Sequence, residues 1–135
     1  FVLLDARAAL VLDRIELHHF GRSEARFHTF GNVEAQEAAA IIRGDRRQMA
    51  MTFASDVPCL VREAVDPTTQ PQREARMIRW CTRDLHETMT LATLLTPGTE
   101  PGAVEMQQAD GKIIVSVQAA GLRRRLVLSQ RLRPV

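Results

Sequence analysis

Apolar and polar residues alternate with a period of two along most of this chain, the spacing of strands with one buried face. Across residues 8–17, Ala9, Val11, Ile15 and Leu17 share one face, interrupted by Asp13. Across residues 23–30, Ala25, Phe27 and Thr29 oppose Glu24, Arg26 and His28, after a turn at Phe20-Gly-Arg-Ser23. The sharpest hairpin joins residues 38–43 to 46–54 through Gly44-Asp45, a pair suited to the positive φ values of a tight turn. In its second arm Met49, Met51 and Phe53 form one face. A helical alternative over residues 34–42 lacks a cap and a sustained 3.6-residue period.

Residues 59–64, introduced by Pro58, read as a further strand, and residues 66–72 as a loop in which two prolines bracket polar residues. Residues 76–83 and 88–96 look like paired strands around Asp84-Leu-His-Glu87. Their inward set is Met77, Cys81, Met89, Leu91 and Leu95, or the alternate set with Ile78 and Trp80. A Pro/Gly-rich break at 96–102 precedes strands at 104–108, 112–119 and 122–128, with turns at Asp110-Gly111 and Gly121. The sum is an all-β chain, an antiparallel β-sandwich of about ten to twelve short strands forming one domain over residues 1–135. The opening Phe1-Val-Leu-Leu-Asp-Ala6 is itself strand-like, so the chain reads as a piece of a longer protein.

Composition narrows the classes. An apolar content of 45% excludes disorder as the main description, and the longest apolar runs are far too short for a membrane helix. Net charge is +2, and Lys112 is the only lysine. Arginine suits two-point recognition of carboxylate, sulfate or phosphate. The arginines concentrate at Arg43, Arg46 and Arg47 and in Arg123-Arg-Arg125, where Arg123 and Arg125 share a strand face. Such a strand can line an acidic polysaccharide, or guard a sheet edge against pairing with another chain. Aromatics are scarce: one Trp, five Phe and no Tyr. Trp80 therefore reads as core rather than as a sugar platform, and nucleic acid, which would want exposed rings among the basic groups, is not an expected partner. Cys59 and Cys81 read as free buried thiols, with a bridge across the sandwich as the alternative.

No compact reaction motif is visible. His18 and His19 are adjacent and point to opposite faces of a strand, so with His28 they make no recognisable metal site. None of the serines lies in a nucleophile elbow, and no Gly-rich phosphate loop occurs. No catalytic, metal-binding or cofactor-binding residue is assigned, and these residues alone are not expected to form an enzyme.

Four stretches carry a family resemblance: Ala9-Leu-Val-Leu-Asp-Arg-Ile-Glu-Leu-His18, Ala25-Arg-Phe-His-Thr-Phe-Gly31, Ile42-Arg-Gly-Asp-Arg-Arg-Gln-Met-Ala-Met51 and Leu91-Ala-Thr-Leu-Leu-Thr-Pro-Gly98. Together they resemble the C-terminal β-sandwich region of heparinase II/III-like polysaccharide lyases. The resemblance implies a parent enzyme that cleaves acidic polysaccharide by β-elimination, in a periplasmic or secreted setting. It also implies an N-terminal toroid domain as partner, which together with the first part of the β region supplies the Tyr and His groups of the reaction. No such group maps onto this chain. The implied role is non-catalytic, with Arg43, Arg46, Arg123 and Arg125 as candidate polysaccharide contacts. A stand-alone carbohydrate-binding or adhesion module is the alternative.

Overall fold

The alternation is realised as twelve strands: β1 (Val2–Leu4), β2 (Ala8–Gly21), β3 (Glu24–Thr29), β4 (Asn32–Ala35), β5 (Ala39–Arg43), β6 (Gln48–Ser55), β7 (Cys59–Val65), β8 (Arg76–Thr82), β9 (His86–Pro97), β10 (Ala103–Ala109), β11 (Lys112–Ala119) and β12 (Leu122–Ser129). The structure is a computed structural model describing residues 2–4, 7–65 and 75–134. The loop expected at 66–72 lies outside the described residues. Every strand pairing is antiparallel, and no helix occurs among the described residues. The all-β sandwich expected from the sequence is the fold.

Three sheets make it up. The largest has the order β1-β2-β9-β6-β5-β4, and the two smaller ones β10-β11-β12 and β3-β8-β7. Side-chain parity explains how they stack. On the central sheet, Leu10, Ala92 and Leu94 point one way and pack with Ile113, Val115, Val117 and Leu128. Phe53, Met89 and Leu91 point the other way and pack with Val61, Ile78 and Trp80. The six-stranded sheet is thus the middle layer, with one three-stranded sheet on each face. Because β9 is buried on both sides, its sequence carries apolar residues and threonines without a charge from Met89 to Thr96.

That middle position corrects one pairing. Residues 76–83 and 88–96 do not form a hairpin: β8 lies between β3 and β7, while β9 lies between β2 and β6. The inward residues come from both expected sets, with Ile78 and Trp80 from β8 and Met89, Leu91 and Leu95 from β9. Trp80 is fully buried, which makes it core. Cys81 points to the opposite side of β8.

The turn at Gly44-Asp45 also differs from expectation. Neither residue has positive φ. The β5–β6 connection is a four-residue loop in which the Gly44 N–H donates to the Arg47 carbonyl at 2.9 Å, so a left-handed pair is not required. The two later turns do use it, with φ of 51° and 71° at Asp110-Gly111, and 48° and 78° at Ala120-Gly121. The segment with a helical alternative is instead the β4–β5 hairpin, with Glu34 opposite Ile41.

Candidate functional site

Arg123 and Arg125 stand on the outer face of β10-β11-β12. Strand parity places them there: Leu122, Leu126 and Leu128 turn toward the central sheet, so the residues between them turn away. Register then builds two cross-strand rows, Ala103–Gln118–Arg123 and Glu105–Ser116–Arg125. The rows line an open groove of about 410 Å³. Neither Arg123 nor Arg125 has an ion pair among the described residues. Arg124 belongs to the opposite parity, in register with Val117, yet it is exposed at the free edge of β12 and lines the same groove. One Nη of Arg124 donates to the Arg123 carbonyl at 3.2 Å. Both sequence readings of this strand, edge guard and anion contact, therefore fall on one surface.

Arg43 and Arg46 are not part of it. Arg43 ends β5, where its guanidinium pairs with Glu34 of β4 at 3.1 Å. Arg46 is exposed in the loop between β5 and β6. No groove or hydrogen bond among the described residues joins either one to Arg123 or Arg125. The four arginines named from the sequence thus form two separate groups, of which only one makes a surface with neighbouring polar groups.

A second basic face was not visible in the sequence. On the outer side of β3-β8-β7, register aligns Glu24–Cys81–Leu60 and, one row on, Arg26–Arg79–Arg62. Arg79 clamps Glu24 with two bonds, 2.8 Å from Nε and 2.6 Å from Nη2, and Arg26 Nε adds a third at 2.5 Å. These hydrogen bonds, that from Arg79 foremost, hold the Glu24 carboxyl at about 2, well below the ordinary carboxylate value. The same carboxylate raises the pKa of Arg79. Burial, then the Glu24 charge, pushes the Cys81 thiol up, which makes it a poor nucleophile. Arg22, Arg62 and Arg83, without ion pairs among the described residues, line a groove of about 330 Å³ beside the clamp. Its arginines come from the β2–β3 turn, β7, β8 and the residue after β8, so no run in the sequence announces them.

The remaining reactive residues are dispersed among the described residues. No group of three or more His, Cys, Asp or Glu that could hold a metal occurs among the described residues. His18 and His19 are exposed on β2, and His28 stands on β3 in register with Met77. Cys59 and Cys81 are free. They sit on neighbouring strands, but Cys59 packs toward the core and Cys81 faces outward, so a bridge has no geometry.

One pair was missed. The Ser23 hydroxyl lies 3.0 Å from His86 Nε2, and His86 Nδ1 lies 3.4 Å from the Asp84 carbonyl oxygen. The Ser23 N–H, which an oxyanion hole would need, is already donated to Thr82 Oγ1 at 2.9 Å. The cluster fastens the β2–β3 turn to the β8–β9 connection. It reads as a structural clasp.

No protein-family model matches this chain, and no curated protein matches it either.

Proposed function

We propose that this chain is a non-catalytic β-sandwich domain that holds an acidic polysaccharide against the outer face of β10-β11-β12. In this reading it is the C-terminal domain of a heparinase II/III-like lyase, in which an N-terminal toroid performs the β-elimination. The observation that carries the binding role is the pair Arg123 and Arg125. They project from alternate positions of one strand, about 7 Å apart, and neither is neutralised by a partner. A guanidinium presents a fork of donors to carboxylate or sulfate, while Gln118 and Ser116 in the same rows offer partners for sugar hydroxyls. An exposed strand face of this kind suits an extended chain better than a compact ligand.

The test is affinity chromatography and calorimetry on heparin and on a polyuronate, at two salt concentrations. The double substitution Arg123→Ser and Arg125→Ser should weaken binding about tenfold or more without lowering the melting temperature, since both side chains are exposed. Wild-type affinity should fall with salt, as contacts between exposed charges do. The control is Arg62→Ser with Arg83→Ser on the other basic face. Unchanged affinity in the first variant, or loss confined to the second, overturns the assignment to β10-β11-β12.

A further inference from the structure

The central sheet is six strands wide and β3-β8-β7 only three, so part of the sheet's face is left uncovered. The strip at the margin of the covered area is apolar, and its floor is partly covered, with Thr93, Phe53 and Met51 buried. Register sets Val11, Thr93 and Phe53 in one row and Ala9, Leu95 and Met51 in the next, with Met49 opposite Pro97 beyond them. Phe27 of β3 forms a wall, its ring 5.6 Å from that of Phe53. Two grooves of about 370 Å³ each follow the strip. They share Met49 and Leu95, and so run into one another.

The two ends of this trench differ. The outer end, over Ala9, Met49 and Pro97, has an almost wholly hydrocarbon lining, with the arginines Arg7 and Arg47 at its rim. The inner end, beside β3, holds Thr93 on its floor and Arg26 and His28 at its mouth. Thr93 is 1% exposed, and its hydroxyl has no hydrogen-bond partner among the described residues. A buried hydroxyl left unpaired is unfavourable, and few native side chains are. Arg26 uses Nε on Glu24, and its terminal Nη groups have no acceptor among the described residues.

We infer that this trench is a binding site for a linear medium-chain carboxylate, with its head group at Thr93 and Arg26 and its alkyl chain along Leu95 and Met49. A pocket with an apolar lining and a few convergent polar groups is the general form of a small-ligand site. The carboxylate accepts from the orphan hydroxyl and the Arg26 guanidinium. Along β9, Thr93 to Pro97 spans roughly 13 Å at ~3.3 Å per residue, the reach of an extended chain of roughly ten carbons. No acidic side chain lines either groove; Glu24, bonded to Arg26, is shared with Arg79, so the three groups together keep a net positive charge beside the head group.

The experiment is calorimetric titration of the 135-residue chain with decanoate below its micelle concentration, with 1-decanol as the neutral comparison. Decanoate should bind saturably at one site and more tightly than decanol. Met49→Trp fills the outer groove and should weaken decanoate about tenfold or more. Thr93→Val keeps the shape and removes the hydroxyl; it should weaken decanoate several-fold while leaving the melting temperature as high or higher. Absence of saturable binding to the wild type, or wild-type affinity in Thr93→Val, overturns the inference. The Arg123/Arg125 variant should bind decanoate normally, so this test and that of the polysaccharide face stand or fall separately.

Discussion

The two outer sheets have the same number of strands and cover opposite faces of one central sheet, yet they are assembled in different ways. β10, β11 and β12 follow one another through two-residue turns. β7 and β8 are consecutive, but β3 joins them from beyond three strands of the central sheet. Their charges differ in the same sense. Arg123 and Arg125 come from one short run and stand unpaired, whereas Arg26 and Arg79, far apart in sequence, converge on Glu24. A sheet made of neighbours displays its chemistry in the sequence, and a sheet made of distant segments displays it only when folded. The second kind also depends on long-range closure, whose entropy must be offset before any contact rewards it.

The sharpest way to break this comparison is to damage the core of the dispersed sheet. Trp80 is fully buried among Val61, Ile78, Met89 and Leu91. Trp80→Ala should cost about 3–5 kcal/mol in urea unfolding. If the central sheet couples the two cores, the loss appears in a single cooperative transition, and amides of β11 lose exchange protection together with those of β8. Protection of β11 that survives unchanged would make β10-β11-β12 an independent folding unit. Trp80→Phe should cost less than the lost volume alone suggests, because it also removes an indole N–H that has no partner among the described residues.

What was legible follows from the same distinction. Strands β10 to β12 and their turns could be read directly, since Asp110-Gly111 and Gly121 punctuate an unbroken alternation. The β8–β9 hairpin was a misreading because adjacency in sequence favours pairing, and the outcome is decided by tertiary burial. The charge-free stretch from Met89 to Thr96 was the available signal that this strand is covered on both faces. Arg123 and Arg125 could be placed on one face by parity alone. That Arg43 is paired with Glu34, and that Arg22, Arg62 and Arg83 share a groove, depends on sheet order. The Thr93 hydroxyl could not be singled out from a strand carrying several threonines, because its orphan state depends on what covers it.

The Glu24 clamp sharpens the comparison electrostatically, since β10-β11-β12 has no counterpart among the described residues. Its carboxyl titrates at about 2 in the folded chain, below the ordinary 4.5. A lowered folded-state pKa adds stability that is fully present above about 4.5 and is lost as pH falls toward 2. Wild type and Glu24→Gln should therefore differ most in melting temperature near neutral pH, the variant being lower. The two curves should converge as the medium is acidified through that window. Parallel curves from pH 6 to 2 would show that the clamp contributes nothing to stability, and that the two outer faces differ only in layout.

The smallest expected effect lies in the turns that make β10-β11-β12 local. Every positive φ among the described residues falls after Pro97, and the two tight turns account for four of the six. At Asp110-Gly111 both residue types suit the left-handed region, but at Ala120, with φ of 48°, an alanine occupies it. The left-handed conformation costs a non-glycine residue about 1–2 kcal/mol. Glycine at 120 would remove that strain and, against it, raise the entropy of the unfolded chain by about 0.4–1 kcal/mol. The net for Ala120→Gly is a gain of about 0.5–1 kcal/mol. Gly111→Ala, at φ of 71° with open space around the added methyl, should lose about as much. Opposite signs at the two turns tie the effect to backbone conformation, since no side-chain contact is exchanged in the second case. A loss in both variants would mean that the contacts of the Ala120 methyl outweigh the backbone strain.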